Sequence, residues 1–207
     1  MTRAATPTIT SEQVPGHPDY RHLSTIAGIH VDLRYATRDN FVGRDLYSPL
    51  DCAWLHREAA EAIERAVAWL AGRRPGCTLA ILDALRPHRV QEQLWEALAG
   101  TDLRMYLADP ARGSIHSFGM AVDVTLLDAE GRELDMGTGF DDMTELSHPA
   151  LEAEMLAAGR LAVQQAANRR LLRDAMLHAG FVGIKTEWWH FDCGDRDAVR
   201  AGYTRVL

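Results

Sequence analysis

With 207 residues, 47% of them hydrophobic and 25% charged, the chain has enough apolar mass for one sizeable core, and one domain is the simplest count. A net charge of -7 and the lack of any lysine/arginine-rich run give no electrostatic reason to attract nucleic acid or an anionic membrane, so neither partner is expected. The first residues show no apolar secretory stretch and no segment approaches a membrane span, which makes a cytoplasmic location the default.

Residues 1–18 carry Pro7, Pro15, Gly16 and Pro18 among polar residues, a composition that resists regular structure. Residues 1–20 are therefore expected to form an N-terminal arm or flexible tail, with the folded domain over 21–207. Residues 29–35 alternate well enough for a short strand. Over 53–71 the spacing of Leu55, Ala59, Ala62, Ile63, Ala66, Val67 and Leu70 predicts an amphipathic helix.

The apolar run 78–83 reads as a buried strand, and after Pro87 the residues Val90, Leu94, Trp95 and Leu98 mark a helix that Gly100 ends. Arg86 falls in the connection between them, where functional side chains tend to lie. Residues 121–127 read as a strand and 128–131 as a turn. Leu171, Leu172, Ala175, Met176 and Ala179 form the stripe of a late helix stopped at Gly180, followed by short strands at 181–184 and 188–191. Without regular strand–helix alternation, the pattern favours an α+β domain: a small, mostly antiparallel sheet flanked by helices. Cys52, Cys77 and Cys193 are odd in number and widely spaced, which speaks against a disulfide framework and for free, buried thiols.

Nine histidines are present, so no single one means much. Two segments stand out, Ser114-Ile115-His116 through Asp123 and Glu187-Trp188-Trp189-His190. Two imidazoles and one carboxylate suit a three-ligand catalytic zinc with an open position, and a spare carboxylate suits a general base.

His116 and Asp123 are seven apart and Glu187 and His190 three apart, so an unbroken strand would send each pair to opposite faces. Gly119 supplies a break in the first segment, letting His116 come from a turn while Asp123 projects from the strand that follows. Gly183 and the polar Lys185-Thr186 let Glu187 enter from a loop or bulge. On pattern alone the plainer alternative stays open, in which Asp123 and Glu187 are solvated carboxylates and the two tryptophans are core. A structural zinc site on His190 and Cys193 lacks the second pair that would close it. The Walker phosphate loop, the dinucleotide glycine pattern, the Gly-x-Ser-x-Gly elbow and the His-Glu-x-x-His helix are all missing.

The chain resembles the D-alanyl-D-alanine dipeptidases of the vancomycin-resistance type. These sit within the zinc D,D-peptidases, which also include D,D-carboxypeptidases, phage endopeptidases and hedgehog-like domains. The resemblance runs through Asp32-Leu33-Arg34-Tyr35-Ala36-Thr37 with Asn40-Phe41, Asp83-Ala84-Leu85-Arg86-Pro87 and the segment 114–126. It continues through Met136-Gly137-Thr138-Gly139-Phe140-Asp141, Asn168-Arg169-Arg170-Leu171-Leu172 and Glu187-Trp188-Trp189-His190-Phe191.

The resemblance implies a hedgehog/D,D-peptidase-like fold and one Zn2+ per chain held by His116, Asp123 and His190. It further implies Glu187 as general base and acid and Arg86 as the transition-state stabiliser. Asp141 matches the position that contacts the substrate's free ammonium group, and Tyr35 and Ser114 match positions lining the substrate pocket. Taken from the residues alone, Arg86 reads as a surface ion pair, Asp141 as a turn or cap carboxylate and Tyr35 as a core aromatic.

The implied reaction is hydrolysis of the D-Ala-D-Ala dipeptide to two D-alanines. The alternatives are a D,D-carboxypeptidase or cell-wall endopeptidase of the same superfamily, or a non-hydrolytic zinc-binding module. Nothing in the sequence sets the oligomeric state.

Overall fold

A computed structural model describes residues 6–207. In chain order the first elements are strands β1 (Thr8–Ile9), β2 (Tyr20–His22), β3 (Ile29–Val31) and β4 (Trp54–His56), helix α1 (Arg57–Arg73), β5 (Thr78–Asp83) and α2 (His88–Ala97). They are followed by β6 (Ala121–Leu127), α3 (Glu152–Ala157), α4 (Val163–His178), β7 (Phe181–Gly183), β8 (His190–Cys193), α5 (Arg196–Gly202) and β9 (Arg205–Val206).

The main sheet has the order β3-β5-β6-β8-β7, parallel only between β3 and β5 and antiparallel elsewhere. The α+β architecture expected from the sequence is the one found. Because side chains alternate along a strand, Leu79, Ile81, Val122, Val124, Leu126 and Phe191 share one buried cluster with Ala59, Ile63, Ala66 and Leu70 of α1 and Leu172 and Met176 of α4. Fully burying each of the larger aliphatic side chains contributes about 1.5–3 kcal/mol. Both helices press on the sheet through this cluster, and the polar residues of the intervening strand positions are left for the other side.

Element boundaries differ from expectation where side chains capture the backbone. Only Ile29–Val31 of the stretch 29–35 is strand; Asp32 makes the last ladder bond, to the Ile81 carbonyl at 2.9 Å, and Arg34–Ala36 is a 3-10 turn. The Asn40 amide organises that turn by donating to the carbonyls of Arg34, Thr37 and Arg44 at 3.1, 2.9 and 2.9 Å, so local bonds replace the ladder. The helix predicted over 53–71 starts at Arg57, because Trp54–His56 pairs with β2 and His56 Nδ1 caps the helix by accepting from Glu58 N–H at 3.3 Å. The strand expected at 188–191 lies at His190–Cys193, and α5 was not anticipated.

Residues 6–18 are packed as an arm, the first of the two forms expected over 1–20; residues 1–5 lie outside the described residues. Strand β1 pairs in parallel with β9, Thr8 opposite Arg205 and Ile9 opposite Val206. Val14 is fully buried with Tyr20, Leu85 and Val206, and that apolar anchor offsets the cost of ordering a proline-rich segment. Cys52, Cys77 and Cys193 are free thiols, Cys77 the least buried of them. Among the described residues no helix is long and apolar enough to cross a membrane.

Candidate active site

Strand register builds the centre of the site. Asp83 of β5 lies opposite Asp123 of β6, and Asp123 lies opposite His190 of β8, so two carboxylates and an imidazole form one row across three strands. Like charges side by side destabilise a sheet, and here Arg86 neutralises them. Its Nε donates to Asp83 at 2.8 Å, Nη2 to Asp123 Oδ2 at 3.2 Å and Nη1 to Gln91 at 3.1 Å. At 6% exposure the guanidinium is interior, so the surface ion pair that the bare sequence offers for Arg86 does not hold.

His116 joins the row from the 3-10 turn Ile115–Phe118, which Gly119 ends at φ 65°. Glycine is required on two counts, since an added Cβ would be strained at that angle and would lie 2.7 Å from the backbone nitrogen of His56. The break inferred at Gly119 from the spacing is therefore present. His116 Nδ1 donates to the Ala84 carbonyl at 2.8 Å, which leaves its Nε2 lone pair facing inward.

His116 Nε2, Asp123 Oδ1 and His190 Nδ1 converge. Nε2 and Nδ1 are 3.2 Å apart, Nδ1 and Oδ1 3.0 Å, and Nε2 and Oδ1 3.4 Å. Ligands at about 2.0–2.1 Å from a tetrahedral cation stand about 3.3 Å from one another, which these three spacings approximate. The residues present therefore fit a divalent cation with one side left open.

Burial pushes the His190 pKa down, but Asp192 and Asp123 outweigh it and raise it well above the ordinary histidine value. Burial pushes Asp123 up, and its contacts with His116 and His190 bring it down below the usual carboxylate range.

Glu187 enters from the irregular segment before β8, as the sequence suggested. Its carboxylate stands 3.9 Å from His190 Nδ1, beside the three ligand atoms and outside their group. Burial, reinforced by Asp123 and Asp192 against the opposing pull of His190 and Arg86, raises its pKa to about 7.

Asp141 takes a left-handed backbone conformation at φ 59°, uncommon for a residue with a side chain. One of its oxygens accepts from the Tyr35 hydroxyl at 3.0 Å, and the other is buried without a partner. Burial, with Asp123 adding to it, pushes this carboxyl well above the usual range. Tyr35 packs edge-on against Phe140 and lies under the Arg86 guanidinium at 4.9 Å. Ser114, 4% exposed, immediately precedes the His116 turn.

All eight residues singled out from the sequence line one cavity of about 960 Å³, which Trp189 also borders. Trp188 and Trp189 are both buried, and the Trp188 Nε1 donates to Thr138 at 2.8 Å. Sequence reasoning missed Asp83, Gln91 and Asp192. Two of them had a readable signal: Asp83 precedes Arg86 by three residues, and Asp192 follows His190 by two on the same strand face.

The peptidase M15 family model, described as D-ala-D-ala dipeptidase, matches residues 18–206. The chain belongs to this family. M15 peptidases are metallopeptidases, and the converging His116, Asp123 and His190 could hold a metal ion here.

A D-alanyl-D-alanine dipeptidase of Escherichia coli K12 is 40% identical over 79% of this chain and 78% of its own length. Relatives of that same description from Enterococcus faecium and Streptomyces coelicolor are each 33% identical over 80% of this chain and 86% of theirs. Among solved structures, the LdcB LD-carboxypeptidase is similar at a TM-score of 0.46 and 16% identity, over 87% of this chain and 70% of that one, a distance at which the likeness assigns nothing.

Proposed function

We propose that residues 21–207 form a catalytic domain that hydrolyses the D-Ala-D-Ala dipeptide to two D-alanines with one zinc ion held by His116, Asp123 and His190. The observation that carries this reading is the convergence of three ligand atoms within 4.8 Å of one another, with the unligated Glu187 carboxylate beside them. The family's description and the names of the relatives support the substrate. Three free thiols fit a reducing, cytoplasmic location.

When bound, zinc supplies Lewis acidity to the scissile carbonyl and to the attacking water. Glu187 takes the proton from that water and delivers it to the departing amine. Arg86 faces the negative charge that grows on the carbonyl oxygen. Asp141, held by the Tyr35 hydroxyl, pairs with the free ammonium group of the dipeptide, and Ser114 lines the pocket wall.

The unpartnered Asp141 oxygen favours a dipeptidase over a carboxypeptidase or endopeptidase that trims longer chains. Acylating the substrate amine removes the cation and leaves a buried carboxylate facing a neutral group. Zinc-loaded protein is expected to release alanine from D-Ala-D-Ala and to refuse N-acetyl-D-Ala-D-Ala and L-Ala-L-Ala. Asp141→Asn is expected to lose about 10- to 100-fold in kcat/KM on the dipeptide. Comparable rates on the acetylated peptide would remove the dipeptidase reading.

Arg86→Ala is expected to lower kcat by about 100- to 1,000-fold. It also leaves the buried Asp83 without its cation, which costs about 3–5 kcal/mol of stability by urea unfolding. A variant with unchanged kcat at saturating substrate would exclude Arg86 from charge stabilisation.

A further inference from the structure

The two imidazoles of the site are held from behind by different partners. His116 donates to a neutral backbone carbonyl, that of Ala84, at 2.8 Å, with the Asp83 carboxylate further off at 3.5 Å from the same nitrogen. His190 instead places Nε2 at 3.0 Å from a carboxylate oxygen, Asp192 Oδ1. Strand geometry builds this pair, because His190 and Asp192 are two apart on β8 and share a face. Asp192 is 3% exposed and stands in register with Ala121, whose methyl group leaves room for it. Its second oxygen is 2.5 Å from Arg196 Nε, one turn along the chain at the start of α5.

A neutral imidazole carries one ring hydrogen, and its position decides which nitrogen can bind a cation. An acceptor fixed on Nε2 keeps the hydrogen there and turns the Nδ1 lone pair toward His116 and Asp123. With no acceptor behind it, the ring is free to place its hydrogen on Nδ1, in the space a cation needs. A carboxylate does more than a carbonyl, since its negative charge also makes the ring a stronger electron donor.

We propose that Asp192 is a positioning residue for the metal centre: it locks His190 in the tautomer that offers Nδ1, and Arg196 holds the carboxylate in place. The proposal rests on the reading of His190 as a metal ligand, and the test separates the two. Zn2+ affinity is measured by chelator competition, and coordination by the visible absorption of the Co2+-substituted protein, for unaltered protein, His190→Ala, Asp192→Ala and Asp192→Asn.

Asp192→Ala is expected to weaken Zn2+ binding about 10- to 100-fold and to change the Co2+ spectrum, because the ligand field at Nδ1 changes. Asp192→Asn keeps an acceptor and loses the charge, so a smaller but measurable loss is expected. Support of folding alone would leave the Co2+ spectrum unmoved. Zn2+ affinities for both Asp192 variants within about twofold of the unaltered protein, with His190→Ala unable to hold metal, overturn the proposal and leave the ligand reading intact. Full affinity in His190→Ala overturns both. Should Asp192→Ala not fold, Asp192→Leu, which fills the same space without an acceptor, decides, and an unchanged affinity and spectrum in that variant overturn the proposal.

Discussion

His116→Ala, Asp123→Ala and His190→Ala are each expected to lose stoichiometric zinc and, with it, measurable hydrolysis of D-Ala-D-Ala. Each substitution removes one of the three atoms that converge at tetrahedral spacing, and two remaining protein ligands leave the cation to water. A cation that binds only the folded chain adds about 4 kcal/mol of stability at a thousandfold excess over Kd. Zinc should therefore raise the unfolding temperature of the unaltered protein after chelation and leave that of the three variants unchanged. Metal content per chain after dialysis, with thermal unfolding beside it, checks both halves. One zinc per chain in all three variants would refute the coordination sphere.

Glu187→Gln is expected to separate binding from chemistry. The glutamate lies outside the ligand group, so the variant should still hold one zinc per chain while kcat falls about 100- to 10,000-fold, the range for a lost general base. The pH profile follows from the same residue. A base works only when deprotonated, so the rate falls as pH drops through its pKa. Burial raises that value to about 7 and a neighbouring divalent cation favours the charged form, so the acid limb of kcat/KM is expected between about 5 and 7. A profile that stays flat down to pH 5, or a Gln variant retaining more than about a tenth of the rate, would contradict the assignment.

Much of the architecture was legible because it is written locally. The α1 stripe, the apolar runs of β5 and β6 and the α4 stripe each carry their own period, and each forms the element its period predicts. Gly119 could be read as a break because an odd spacing on a strand demanded one.

What stayed hidden depends on register and on long-range pairing. Nothing local says that Asp83, Asp123 and His190 line up across β5, β6 and β8, so Asp83 went unseen and Arg86, taken from the residues alone, passed for a surface cation. The arm looked unstructured because its two-residue strand has no periodicity of its own; its partner lies at the opposite end of the chain. Asp192 was within reach of a period-two reading, but the strand was placed two residues too early, which moved it past the predicted end.

The pairing of β1 with β9 gives residues remote from the catalytic row a hold on it. Strand β9 directly follows α5, whose first residue, Arg196, grips Asp192, so Thr8 and Ile9 act as a clasp on the segment that backs His190. Trimming the polypeptide upstream of Tyr20 is thus expected to loosen the proposed metal site from behind, although none of the described side chains removed lines the cavity.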